Sequence, residues 1–160
     1  MRYIMISILL GLASSTILAR TEQCQTVTKN DIEALFDRWN RSLQTGDPEK
    51  VVANYAKLSV LLPTLSNVMR ITLATEEHSF DDKTKDKLSY FKYFLTKKPN
   101  GKIDKRFIEI GCNSAVDSGI YTFTFGDNTS EQARYTFTYR WDGKQWLITS
   151  HHSSLMPEKI

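Results

Sequence analysis

Apolar residues in "TKNDIEALFDRWNRSLQTGDP" fall at Ile32, Leu35, Phe36, Trp39 and Leu43, spacings of three and four that place them on one helical face. Asn30 with Glu33 three residues on reads as a capping pair, and Gly46 as the stop. Asp47 and Pro48 open a second, short helix carrying Val51, Val52 and Tyr55 on one side. "SVLLPT" predicts a short buried strand ended by Pro63, and "VMRITLATE" a further extended piece after a turn at Ser66 and Asn67. In "FDDKTKDKLSYFKYFLTKKPNG" a helix places Leu88, Phe91 and Leu95 on one face with Tyr90 and Phe94 alongside, until residues 99–101 end it.

From Lys102 onward the period changes to two. "KRFIEIGCN", "AVDSGIYTFTF", "ARYTFTYRW" and "QWLITSHHSS" are rich in β-branched and aromatic residues, with turns at Asn113, at residues 126–128 and at Asp142-Gly143. In the third run Tyr135, Phe137, Tyr139 and Trp141 share one face, and Arg134, Thr136, Thr138 and Arg140 the other. Helices first and a meander of strands last make an α+β layout, with an antiparallel sheet laid against the helices. So long a sheet with so few helices curls around the first of them and leaves a cavity at its open end, where a site is to be sought.

The first residues add an address. "MRYIMISILLGLASS" runs from one Arg through an apolar stretch to small residues, the order of a secretory signal. Its apolar run is shorter than the roughly 20 residues a bilayer span needs. We expect residues 1–19 to be a signal peptide, residues 20–160 to be one domain, and the mature protein to be periplasmic or secreted, free of the membrane. Twenty-one Lys and Arg against 18 Asp and Glu give a net charge of +3. Losing Arg2 leaves about +2, too little clustered charge for a nucleic-acid groove. Cys24 and Cys112, the only cysteines, are expected to pair as a disulfide in an oxidising compartment. Two free thiols, or lipidation at Cys24, are the competing readings.

The doublets in "LITSHHSSLMP" invite a chemical reading. Strand alternation sets His151 with Ser153 on one face and His152 with Ser154 on the other. A histidine pair split across a strand cannot chelate one ion, so no metal is expected. No G-x-S-x-G turn presents either serine as a nucleophile. His151 is the candidate general base, in an enzyme where Tyr121 or Arg134 polarises a carbonyl and Asp117, on the face of Tyr121, is the available acid.

"LFDRWNRSLQTGDPEKVVANYA", "VLLPTLSNVMR", "YFKYFL", "IGCNSAVDSGIYTF" and "ARYTFTYRWDGKQWLITSHHSSLMP" together resemble bacterial members of the calcium/calmodulin-dependent protein kinase II association-domain family. That family belongs to the nuclear transport factor 2-like, SnoaL-like superfamily, and the resemblance runs from about residue 31 to residue 157. It implies a cone-shaped α+β fold, a strongly curved antiparallel sheet wrapped around a long N-terminal helix, with a pocket between. It also implies self-association, as a homodimer or larger homo-oligomer. The chain's 160 residues carry none of the glycine-rich, catalytic or metal-binding loops of a kinase, so the family's name does not make it one.

In the eukaryotic hub the pocket arginines come from the last three strands; the matching places here hold Tyr121, about Thr136, and Ser153. Arg70 and Arg134 are the residues that would restore positive charge. The expected ligand-binding set is therefore Trp39, Tyr55, Arg70, Tyr121, Arg134, His151 and Ser153, around a small polar or anionic ligand, with no cofactor. The expected function is an exported binding or scaffold domain, and the alternative a SnoaL-like isomerase, cyclase or hydrolase. In a third reading the aromatic face of Tyr135, Phe137, Tyr139 and Trp141 is an exposed interface. If that face packs the helices instead, Arg134 lies outside the pocket.

Overall fold

The structure is a computed structural model, and it describes residues 23–64, 66–72 and 86–157. The proposed signal peptide lies outside the described residues, as does the end of "VMRITLATE". Helix α1 spans Lys29–Gln44 and buries Ile32, Leu35, Phe36, Trp39 and Leu43, the face that the spacing predicts. Its cap lies upstream of the expected one. Thr28 holds an extended backbone and accepts a bond from Asp31 N, while the Asp31 carboxylate accepts from Thr28 N at 2.8 Å. This Thr–Asp box satisfies the Thr28 and Asp31 amides, two residues ahead of those that the expected Asn30–Glu33 pair would serve. Gly46 follows with φ +71, a conformation that costs other residues a steric penalty.

Helix α2, Pro48–Val52, is capped by Asp47 and buries Val51. Tyr55 does not extend it: strand β1 already runs over Tyr55–Leu62. β2, Arg70–Thr72, pairs with it antiparallel. Helix α3 covers Lys87–Phe94 and tightens into a 3-10 turn at Leu95–Lys97. Its inner face is rotated from the expected one, because Lys87 is buried and Leu88 is exposed. The Lys87 ammonium donates to the Ser59 carbonyl at 2.7 Å and lies over the Tyr55 ring. Burial lowers its pKa to about 8.

Strands β3 (Asn100–Gly111), β4 (Ser114–Thr124), β5 (Ser130–Trp141) and β6 (Trp146–Leu155) form the meander. The sheet order is β2-β1-β6-β5-β4-β3. One junction departs from the antiparallel expectation: β1 runs parallel to β6, so the sheet is mixed. The long stretch of chain between them, which includes α3 and the strands β3 to β5, supplies the crossover that a parallel pair requires. Register shifts between Ile103 and Lys105 and between Thr138 and Tyr139 mark bulges, which bend and twist a sheet. Opposite the first of them, a Cβ on Gly119 would lie 1.9 Å from the Lys105 carbonyl oxygen, so only glycine fits.

The concave face carries Tyr121, Phe123, Tyr135, Phe137, Tyr139 and Ile148, all buried against α1 and α3. The aromatic face of β5 is thus core, which overturns the reading of it as an exposed interface. Asn40 ties α1 to β3 through paired bonds with Gly101, donating to its carbonyl at 2.9 Å and accepting from its amide at 2.8 Å.

Candidate functional site

A cavity of about 290 Å³ opens between α3, the end of β1 and the distal halves of β4, β5 and β6. Its lining includes Trp39, Arg70, Tyr121, His151 and Ser153, five of the seven residues expected there. Tyr55 stands behind His151, its hydroxyl 2.9 Å from Nδ1, and does not itself line the space. Arg134 is misplaced by the sequence argument. Tyr135 pairs with Ser153 and Phe137 with His151, so Arg134, next along the strand, projects from the convex face. There it is exposed and donates to Ser154 Oγ at 3.2 Å.

At the cavity floor, the Tyr121 hydroxyl donates to Ser153 Oγ at 2.6 Å, and Ser153 Oγ is in turn in close contact with Thr64 Oγ1. Burial pushes the Tyr121 pKa up, so the phenol stays protonated and the line is one of neutral hydroxyls. Beside it His151 stacks on Phe137 at 4.0 Å and meets Trp39 edge-on at 5.3 Å. Its Nε2 has no hydrogen-bond partner among the described residues. The Trp39 indole N–H leans toward the Tyr55 hydroxyl without closing a hydrogen bond. If Tyr55 donates to Nδ1, the histidine proton rests on Nε2 and the ring is a donor.

Burial in this aromatic cage, aided by the charge of His152, lowers the His151 pKa to about 3. Imidazole so placed is a weak base at neutral pH, which counts against its expected role as general base. It also has a consequence for stability. The unfolded chain takes a proton near the usual 6.5 and the folded chain does not, so the contribution is complete above 6.5 and is lost as pH falls toward 3. Stability is expected to drop by about 1 kcal/mol between pH 6.5 and 5.5, and His151→Gln should flatten that slope. Chemical denaturation at the two pH values measures both; equal slopes would place the titration elsewhere.

The wall above the floor is aromatic and basic. Arg70 sits 5.3 Å over the Tyr90 ring and donates to the Asp86 carbonyl at 3.3 Å and to Ser66 Oγ at 3.4 Å. Burial raises the Tyr90 pKa to about 12, against the pull of Arg70. Lys97 holds its ammonium 5.7 Å from the Tyr93 ring and 5.9 Å from that of Phe125. Thr64, Lys97, Phe125 and Glu131 also line the space and were not anticipated: Thr64 and Lys97 lie outside any periodic run, whereas Phe125 and Glu131 continue the alternation of Tyr121 and Phe123 and of Ala133 and Tyr135. Asp117, the candidate acid, is elsewhere. Fully buried toward the other end of β4, it accepts from Tyr135 at 2.8 Å and pairs with Arg106.

A curved sheet closing over a long helix, with a cavity at its open end, defines this protein as a nuclear transport factor 2-like fold. It superposes on an NTF2-like protein from Pseudomonas putida KT2440 with a TM-score of 0.66 at 17% identity, over 86% of this chain and 92% of that one. Residues 28–157 match the calcium/calmodulin dependent protein kinase II association domain, and the chain belongs to that family. It is similar to an association-domain protein from Xanthomonas campestris, with 40% identity, a TM-score of 0.70, and coverage of 86% of this chain and 98% of that chain. An iota-carbonic anhydrase from a cyanobacterium, solved with bicarbonate, shares the fold at 22% identity and a TM-score of 0.63, covering 83% and 94% of the two chains. A comparison with curated proteins found no match.

Proposed function

We propose that the cavity binds a small planar oxyanion of the bicarbonate and carboxylate class. The observation that carries this is the hydroxyl line Tyr121–Ser153–Thr64 at the floor of an otherwise largely aromatic space, with the Arg70 guanidinium in its wall. A hydroxyl can turn its proton toward an anion, and the Arg70 guanidinium, though it also donates to Asp86 and Ser66, contributes positive charge to the wall. The bicarbonate held by the cyanobacterial carbonic anhydrase of the same fold supports the choice of anion. Titration of ¹³C-bicarbonate, followed by NMR, tests the proposal. Ser153→Ala and Arg70→Ala should each weaken binding about tenfold or more. No shift of the bicarbonate resonance with the native protein would end this reading.

Turnover is a second reading, favoured by the same line of hydroxyls, which offers a proton path from Tyr121 through Ser153 to Thr64. In it the chain interconverts carbon dioxide and bicarbonate, a reaction that stopped-flow pH indicators follow directly. It replaces the isomerase, cyclase or hydrolase scheme, whose base would be the weakly basic His151. We further propose that the chain is exported, and that it forms a homodimer through the convex sheet face. Phe107, 65% exposed, shares that face with Leu62 and Ile71. The Cys24–Cys112 disulfide suits an oxidising compartment, and among the described residues no helix is long and apolar enough to cross a membrane.

A further inference from the structure

The cavity is larger than a bicarbonate requires. Liquid water takes about 30 Å³ per molecule, so about 290 Å³ holds on the order of ten non-hydrogen atoms. A four-atom oxyanion at the floor leaves more than half of the space above it. That space is walled by rings. Tyr90 and Phe94 stack at 5.7 Å with 16° between planes, and Phe94 meets Phe125 edge-on at 6.3 Å. The bonded hydroxyls of Tyr121 and Ser153 lie below, while the charged groups Arg70, Lys97 and Glu131 stand in the wall.

Resting on the oxyanion reading, we infer that the preferred ligand is an amphipathic carboxylate of benzoate size. Its carboxylate reaches the Ser153 and Tyr121 hydroxyls and its ring occupies the tier formed by Tyr90, Phe94 and Phe125. The upper walls offer edges and faces at right angles, the arrangement in which an inserted ring makes both edge-to-face and stacked contacts. Lys97, near the Tyr93 and Phe125 rings, adds a positive charge to the same wall, which also holds the Glu131 carboxylate. A bare oxyanion uses the floor alone and leaves the aromatic tier to water. An apolar group of the right size removes that surface from water and gains the corresponding free energy.

Calorimetric titration of the whole protein with acetate, benzoate and benzyl alcohol tests this. Benzoate should bind about 30-fold more tightly than acetate, the gain expected for burying most of a six-carbon ring. It should also displace ¹³C-bicarbonate. Phe125→Ala, at the half-buried rim, should reduce the benzoate-to-acetate ratio to about fivefold or less, benzoate losing several times more affinity than acetate. Equal affinities for acetate and benzoate in the unmodified protein would overturn the aromatic tier and leave the oxyanion reading standing. Benzyl alcohol binding as tightly as benzoate, with acetate and bicarbonate silent, would overturn the oxyanion reading and this inference with it.

Discussion

Reduction of the Cys24–Cys112 bridge is expected to destabilise the protein by about 4 kcal/mol and to lower its melting temperature by about 15 °C. The bridge spans 88 residues of sequence, and cross-linking so long a loop removes much of the freedom of the unfolded chain. The loop it closes contains α1, α2 and α3, as well as β1, β2 and the whole of β3. Without it, the residues before α1 are still held by Val27, packed against the core, and by hydrogen bonds to the β3–β4 turn. Gln25 N donates to Asn113 Oδ1 at 2.7 Å, and Asn113 Nδ2 donates to the Gln23 carbonyl at 2.9 Å. The double variant Cys24→Ser/Cys112→Ser and the native protein in reductant should melt together, both well below the oxidised form. Coincident melting of oxidised and fully reduced protein would refute a stabilising role. Cys112 sits at the β3–β4 turn, whereas the cavity lies at the far end of β4. Bicarbonate binding below the melting temperature should therefore survive loss of the bridge.

Periodicity made the frame of this protein legible. The apolar positions of α1 and the alternation of the meander each had a single structural solution, because a 3.6-residue stripe or a two-residue stripe must be buried as a unit. The polar side of the frame was harder. Lys87 is buried where Leu88 was expected, because an ammonium that finds the Ser59 carbonyl and an aromatic face can sit inside while its apolar neighbour faces out. The parallel pairing of β1 with β6 depends on a crossover between segments distant in the chain, and no local pattern encodes it. In the site, alternation placed His151 and Ser153 on the same side but did not say which face of β5 opposes them. Arg134 was assigned to the pocket on that open choice, and the pairing of Tyr135 with Ser153 decides against it. Thr64 and Lys97 reach the cavity from the irregular residues after β1 and from a 3-10 turn, where sequence period carries no information.

Arg106→Met should cost about 3 to 5 kcal/mol at neutral pH, and distinctly less in mild acid. Arg106 Nε donates to Asp117 Oδ1 at 3.2 Å, and Nη2 lies 3.2 Å from Oδ2 as an ion pair whose angle falls short of a hydrogen bond. A second carboxylate, Glu33, stands 3.7 Å from Nη1 at the surface. Asp117 is completely buried, and burial raises its pKa even though the Tyr135 hydrogen bond and the Arg106 charge pull it down. Removing the guanidinium withdraws one of those opposing influences, so the carboxyl must rise further. The folded variant then holds a proton that the unfolded chain has released. Its stability is greatest below the unfolded carboxylate value near 3.8 and is lost as pH rises through the elevated folded value. The His151 titration runs in the opposite direction, but it is common to native protein and variant and cancels in their difference. That difference, measured by denaturant unfolding at pH 7 and pH 5, should shrink toward acid; a constant difference would mean that Asp117 is not the group left exposed to the cost. Replacing both partners, as Arg106→Met/Asp117→Leu, should recover much of the loss, since no charge then remains buried without its counterion.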